Sequence, residues 1–115
     1  MIRNCQKDII KQCKHLIDVF DLQGLQEYCL ELNNTEFNWD INIAYIFKTI
    51  FFYTCKKGSK PFIQWLMELH KSFDDPTKIA LRQMFFYGKY IILRNKHKEL
   101  AKWYDKNILS PIKCK

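Results

Sequence analysis

Apolar residues recur at three- and four-residue steps along nearly the whole chain, which is the period of an amphipathic helix. Ile9, Cys13, Leu16, Ile17 and Phe20 form a first stripe. Asp21 is placed to cap a second helix, whose stripe is Leu25, Tyr28, Cys29 and Leu32. Asn33-Asn34-Thr35 interrupts it, and residues 37–43 alternate polar with apolar in the manner of an extended connector. A third helix carries Ile46, Phe47, Ile50, Phe51 and Thr54, and Gly58 is placed to end it. Ser59 then caps a fourth, with Pro61 in its first turn and Phe62, Trp65, Leu66 and Leu69 on one face. After the break from Ser72 to Pro76, with Asp75-Pro76 as cap and first turn, a fifth helix shows Ile79, Met84, Phe85, Gly88, Ile91 and Ile92. A sixth begins near Asn95-Lys96-His97 and carries Leu100, Trp103 and Tyr104, and Ser110-Pro111 ends the ordered chain.

Long helix, short turn, shorter helix and loop thus follow one another three times, which calls for a search for internal repeats. Residues 25–32 lie over residues 62–69 at an offset of 37, and 100–104 follow at an offset of 38, aligning Tyr28, Trp65 and Trp103. One helical pair cannot bury its apolar face alone, whereas three stacked pairs bury a continuous strip. The expected fold is therefore all-α: three stacked helical hairpins at about 5–33, 41–70 and 75–107, in one domain over 1–115. Residues 37–40 and 73–75 serve as connectors, 108–115 as a tail, and the aligned aromatics as core.

Composition agrees with a folded helical domain. The 115 residues are 48% hydrophobic, enough apolar surface to offset chain entropy, and three Gly with three Pro are too few for a turn-rich β fold. Charge changes the picture more. Residues 1–50 hold five basic and seven acidic residues, against fourteen basic and five acidic in 51–115, so the net +7 lies in the second half. A basic half suits nucleic acid, an acidic partner or a solvated Lys-rich face. Cysteines at 5, 13, 29, 55 and 114 are odd in number and form no C-x-x-C pair, which argues for a reducing compartment and against a disulfide framework or a zinc site. The longest apolar run, Ile43 to Cys55, includes Lys48 and is too short to span a bilayer, and Met1-Ile2-Arg3-Asn4 opens no signal segment. An intracellular protein, cytoplasmic or nuclear and without a membrane role, is expected.

The segment Asn95-Lys96-His97-Lys98-Glu99-Leu100-Ala101-Lys102-Trp103-Tyr104 resembles the N-G-H-L-E-V-A-K-W-L stretch of ankyrin repeats, in wording typical of the ankyrin families of large amoeba-infecting DNA viruses. Residues 56–68 are similar, keeping Gly58 and the Trp65-Leu66-Met67-Glu68 ending with Ser59 in the histidine's place. Ile50-Phe51-Phe52-Tyr53-Thr54-Cys55 is similar to that family's apolar first helix, and Asp40-Ile41-Asn42-Ile43 to its connector. The chain departs from the pattern in lacking T-P-L-H, in Lys96 at the turn glycine and Lys98 at an apolar site, and in a period longer than ~33 residues. The resemblance implies a divergent ankyrin-like α-solenoid whose work is protein–protein interaction, with His97 as a structural turn residue.

The chain offers no reactive constellation to set against that reading. His15, His70 and His97 lack ligand spacing, Asp74-Asp75 reads as a helix-capping pair, and Ser59, Ser72 and Ser110 lack a nucleophile-elbow context. A non-enzymatic, monomeric interaction module without cofactor or metal is expected. Its partner-binding candidates are Trp39 and Asn38 in the first connector and Phe73 and Asp74 in the second, Trp39 being the anchor because Trp is enriched at binding hot spots. The alternative is a basic helical domain that binds nucleic acid or another acidic surface through Lys89, Arg94, Lys96, Lys98, Lys102 and Lys106.

Overall fold

The three- and four-residue spacing is realised as helix among the described residues. A computed structural model of the chain describes residues 6–34 and 43–113, and no strand occurs among them. Helix α1 spans Gln6–Asp18, α2 Leu22–Asn34, α3 Ile43–Lys57, α4 Lys60–Lys71, α5 Asp75–Arg94 and α6 Lys98–Tyr104. A π-helical turn, Asp105–Leu109, leads from α6 into a last short helix, α7, Ser110–Lys113. The ordered chain thus runs past Ser110-Pro111. Ile108 and Leu109, expected in a tail, are 5% and 2% exposed because the π-helical turn packs on α5 and α6. No helix among the described residues is long and apolar enough to cross a membrane.

The chain forms two compact units, Met1–Ile50 and Phe51–Lys115, a division that falls inside α3. In the first unit α1 packs on α2 with Ile9, Cys13, Ile17 and Leu25 buried. The Cys13 thiol is hydrogen-bonded to Cys29, and that bond together with burial pushes its pKa up. Buried cysteines of this kind behave as small apolar residues. In the second unit the aromatic rings of Phe51 and Phe85 meet edge to face at 5.5 Å. Tyr104 is fully buried, and its hydroxyl donates to the Phe85 carbonyl at 2.6 Å. Gly88 makes this packing possible, since a Cβ there would lie 2.7 Å from the Tyr104 hydroxyl and 2.8 Å from the Phe51 ring.

Three helices end in the same way. Phe20, Gly58 and Lys96 have φ of 57°, 72° and 66°, and the spacing is 38 residues each time (20 to 58, 58 to 96). At each, the left-handed residue's N–H bonds three residues back, to Ile17, Cys55 and Leu93, and the next N–H bonds five back, to Leu16, Thr54 and Ile92. This is the Schellman closure, which satisfies helix-end carbonyls and favours glycine at the left-handed position. The next helix then opens alike, with Leu25, Ile63 and Ala101 donating to Asp21, Ser59 and His97. Those three are 0%, 0% and 3% exposed.

The turns therefore set a register of 38 throughout, one residue off the first expected offset. Tyr28 corresponds to Leu66 and Tyr104, not to Trp65 and Trp103. Leu66 and Tyr104 are buried, whereas Trp65 and Trp103 are half-buried, with the Lys60 ammonium 4.9 Å from the Trp103 ring centroid. Phe20, assigned to the first apolar stripe, is instead 76% exposed because the left-handed turn carries it off the helix face.

Capping departs from expectation at two places. Asp21 does cap α2, accepting from the Gly24 N–H at 2.8 Å. Ser59 occupies the cap position of α4, but its hydroxyl makes no capping bond. The cap of α5 is Asp74 rather than Asp75, accepting from the Thr77 N–H at 3.0 Å, which leaves Asp75 and Pro76 as the first two helical residues.

Candidate functional site

Of the four connector candidates, Trp39 and Asn38 lie outside the described residues. Phe73 and Asp74 close the α4–α5 connection. Phe73 is half-buried, with its ring 6.0 Å from His70 and tilted 66° to it. Hydrogen bonds from the Thr77 hydroxyl and N–H hold the Asp74 carboxyl below the usual carboxylate range.

The basic candidates divide by what each side chain meets. Lys89 is held by Asp105, Nζ to Oδ1 3.1 Å, across α5 and the π-helical turn. Lys102 lies 3.7 Å from Glu99 with both side chains at least 78% exposed, a pair too solvated to hold either firmly. Lys98, Lys102 and Lys106 are all exposed and follow one another at four-residue steps along α6 and the π-helical turn. Arg94 ends α5, where a cation complements the helix dipole, and Lys96 occupies the left-handed turn position. Lys89 and Arg94 thus lie on α5, Lys96 in the turn that closes it, and Lys98, Lys102 and Lys106 along α6 and the π-helical turn.

The histidines have distinct surroundings. His97 Nε2–H donates to the Lys56 carbonyl at 3.0 Å, tying the α5–α6 turn to the α3–α4 turn. A Cβ on Gly58 would stand 2.6 Å from the His97 ring, so glycine there serves the left-handed backbone and the ring's seat together. His70 meets Phe85 edge to face at 4.8 Å, and burial, then the charge of Lys78, lowers its pKa from the ordinary 6.5. His15 is exposed. Among the described residues no three His, Cys, Asp or Glu side chains converge as a metal site would require.

One surface was not anticipated from the sequence. Ile79, expected within the core stripe of α5, is 75% exposed, and Tyr87, Tyr90 and Leu93 of the same helix are 52%, 54% and 48% exposed. Tyr87 touches both Tyr90, centroids 5.7 Å apart, and Phe52, at 5.2 Å. The signal that could have revealed it is a second apolar periodicity on the side opposite Gly88.

No protein-family model matches the chain, and neither a curated protein nor a solved structure does.

Proposed function

We propose that the chain is a non-enzymatic protein-interaction module of three ankyrin-like helical hairpins. The observation that carries this reading is the shared left-handed closure of three helix ends 38 residues apart, at Phe20, Gly58 and Lys96. Recurrent geometry on dissimilar residues is what a repeat array retains after its sequence has diverged. The His97 bond to the Lys56 carbonyl gives additional support, being the structural role that the ankyrin resemblance implies for a turn histidine. Repeat arrays work as binding surfaces and vary most in the loops between their helices, which makes the connectors at 37–40 and 73–75 the proposed contact segments.

The test is affinity capture with the tagged chain, followed by washing at rising salt. The reading expects a protein partner retained through high salt and reduced by Trp39→Ala or Phe73→Ala. Recovery of nucleic acid alone, lost on nuclease treatment or by moderate salt, would contradict it and favour the second reading. That second reading rests on the exposed row Lys98, Lys102 and Lys106, and phosphate binding through such a row weakens steeply with salt.

A further inference from the structure

The exposed apolar face of α5 has the spacing of a helix-pairing seam. Ile79, Phe86 and Leu93 recur every seven residues, and Gln83 and Tyr90 each follow one of them by four, the 3–4 alternation of a heptad. Of these, Ile79, Tyr90 and Leu93 are exposed large apolar side chains, and Phe86 is half-buried. Isolated exposed apolar residues are ordinary, but a row of them on one helix face opposite the core marks an interaction surface.

Charge selects the occupant. Arg82 and Arg94 border the seam, Lys89 on the side of Arg82 is held by Asp105, and after Asp75 in its first turn α5 itself carries no acidic residue. Residues at the edges of a helix pair meet the partner's edges and decide which partner is accepted. A second copy of this chain would set base against base along the seam. Single-stranded nucleic acid would find stacking faces at Tyr87 and Tyr90, but the aliphatic Ile79 and Leu93 towards the ends of the seam offer nothing for a base to stack on.

We propose that the outer face of α5 docks an amphipathic helix of another protein whose apolar stripe is flanked by Asp and Glu. This rests on the reading of the chain as a protein-interaction module and names the chemistry of one partner. The apolar seam supplies burial, and the basic borders supply orientation and selectivity against basic helices.

Fluorescence anisotropy with two labelled three-heptad peptides tests it, at concentrations where sedimentation shows both to be monomeric. Each peptide has Leu at a and d, and one carries Glu and the other Lys at e and g. The wild-type chain should bind the Glu peptide at least about tenfold more tightly, with Kd of roughly tens of micromolar or below. Tyr90→Gln with Leu93→Gln should remove that binding while leaving the helical circular dichroism unchanged. Should that pair disturb the fold, Arg82→Glu with Arg94→Glu decides, because it should reverse the preference toward the Lys peptide. Equal affinity for the two peptides, affinity for neither, or no effect of the charge reversal overturns the proposal. So does oligothymidylate displacing the bound peptide, or a dimer that Tyr90→Gln with Leu93→Gln dissolves, either of which assigns the face to a different occupant. Failure here alongside a salt-resistant partner that depends on Trp39 or Phe73 removes this inference alone. Loss of both removes the module reading as well.

Discussion

On the inner face of α5, Leu81, Met84, Phe85 and Ile92 are at most 4% exposed, while Ile79, Tyr87, Tyr90 and Leu93 on the opposite side are 48% to 75% exposed. The two sets are alike in chemistry and in helical spacing. What differs is the material opposite each. The inner face meets Phe51, His70 and Tyr104, and Gly88 omits a side chain so that the Tyr104 hydroxyl and the Phe51 ring can approach. The outer face meets water and is bordered by Arg82 and Arg94. On a helix apolar around most of its circumference, periodicity alone does not separate core from interface; a small residue on one side and charged borders on the other do.

Breaking the inner face should have the largest effect. Phe85→Ala removes a ring that contacts Phe51 and His70, and should cost about 3–5 kcal/mol in urea unfolding. Next is the turn beside that face. Gly58→Ala forces a Cβ into the left-handed region and against the His97 ring, and a loss of about 2 kcal/mol is expected by the same measurement. The converse change sharpens the comparison of turns. Lys96→Gly places glycine at the equivalent left-handed position, where the backbone is open to it, and should gain about 1 kcal/mol.

A smaller effect follows from His70, which lies against the inner face. Its pKa is lowered in the folded chain by burial and then by Lys78, so the unfolded chain takes up the proton first. This contribution is present in full above the ordinary value of 6.5 and is lost as pH falls through and below it. Urea midpoints measured across that range should decline toward acid in the wild type, and decline less in His70→Gln.

Much of this fold was legible in the chain because helical burial leaves a strong periodic trace. The five positions read as the stripe of α3, Ile46, Phe47, Ile50, Phe51 and Thr54, are all buried. The three tight turns that close at Phe20, Gly58 and Lys96 fall where the helix breaks were read, although the left-handed geometry of Phe20 and Lys96 carries no sequence signal of the kind that Gly58 gives. Without that signal, alignment on the bulkiest aromatics takes Trp65 for the counterpart of Tyr28, whereas the 38-residue spacing of the turns puts Leu66 in that place. The site was less legible. Asp74 was read both as one of a capping pair and, with Phe73, as a partner-binding residue, and its carboxylate does cap α5. Lys89 was read as part of a basic patch, but it is answered by Asp105 sixteen residues further on, a pairing that only the hairpin brings about. Of the outer face of α5 only Ile79 was read at all, and it was placed in the core stripe, while Tyr87, Tyr90 and Leu93 were assigned to no face.

The account turns on that face being surface rather than core, and equilibrium unfolding of a triple variant, Ile79→Gln with Tyr90→Gln and Leu93→Gln, tests it most directly. Gln is a good helix former, so the substitution removes apolar surface without weakening the helix. The account predicts a stability within about 1.5 kcal/mol of wild type, three times the ordinary range for one surface change. A cooperative loss of several kcal/mol would show that these side chains are packed core, and would contradict it.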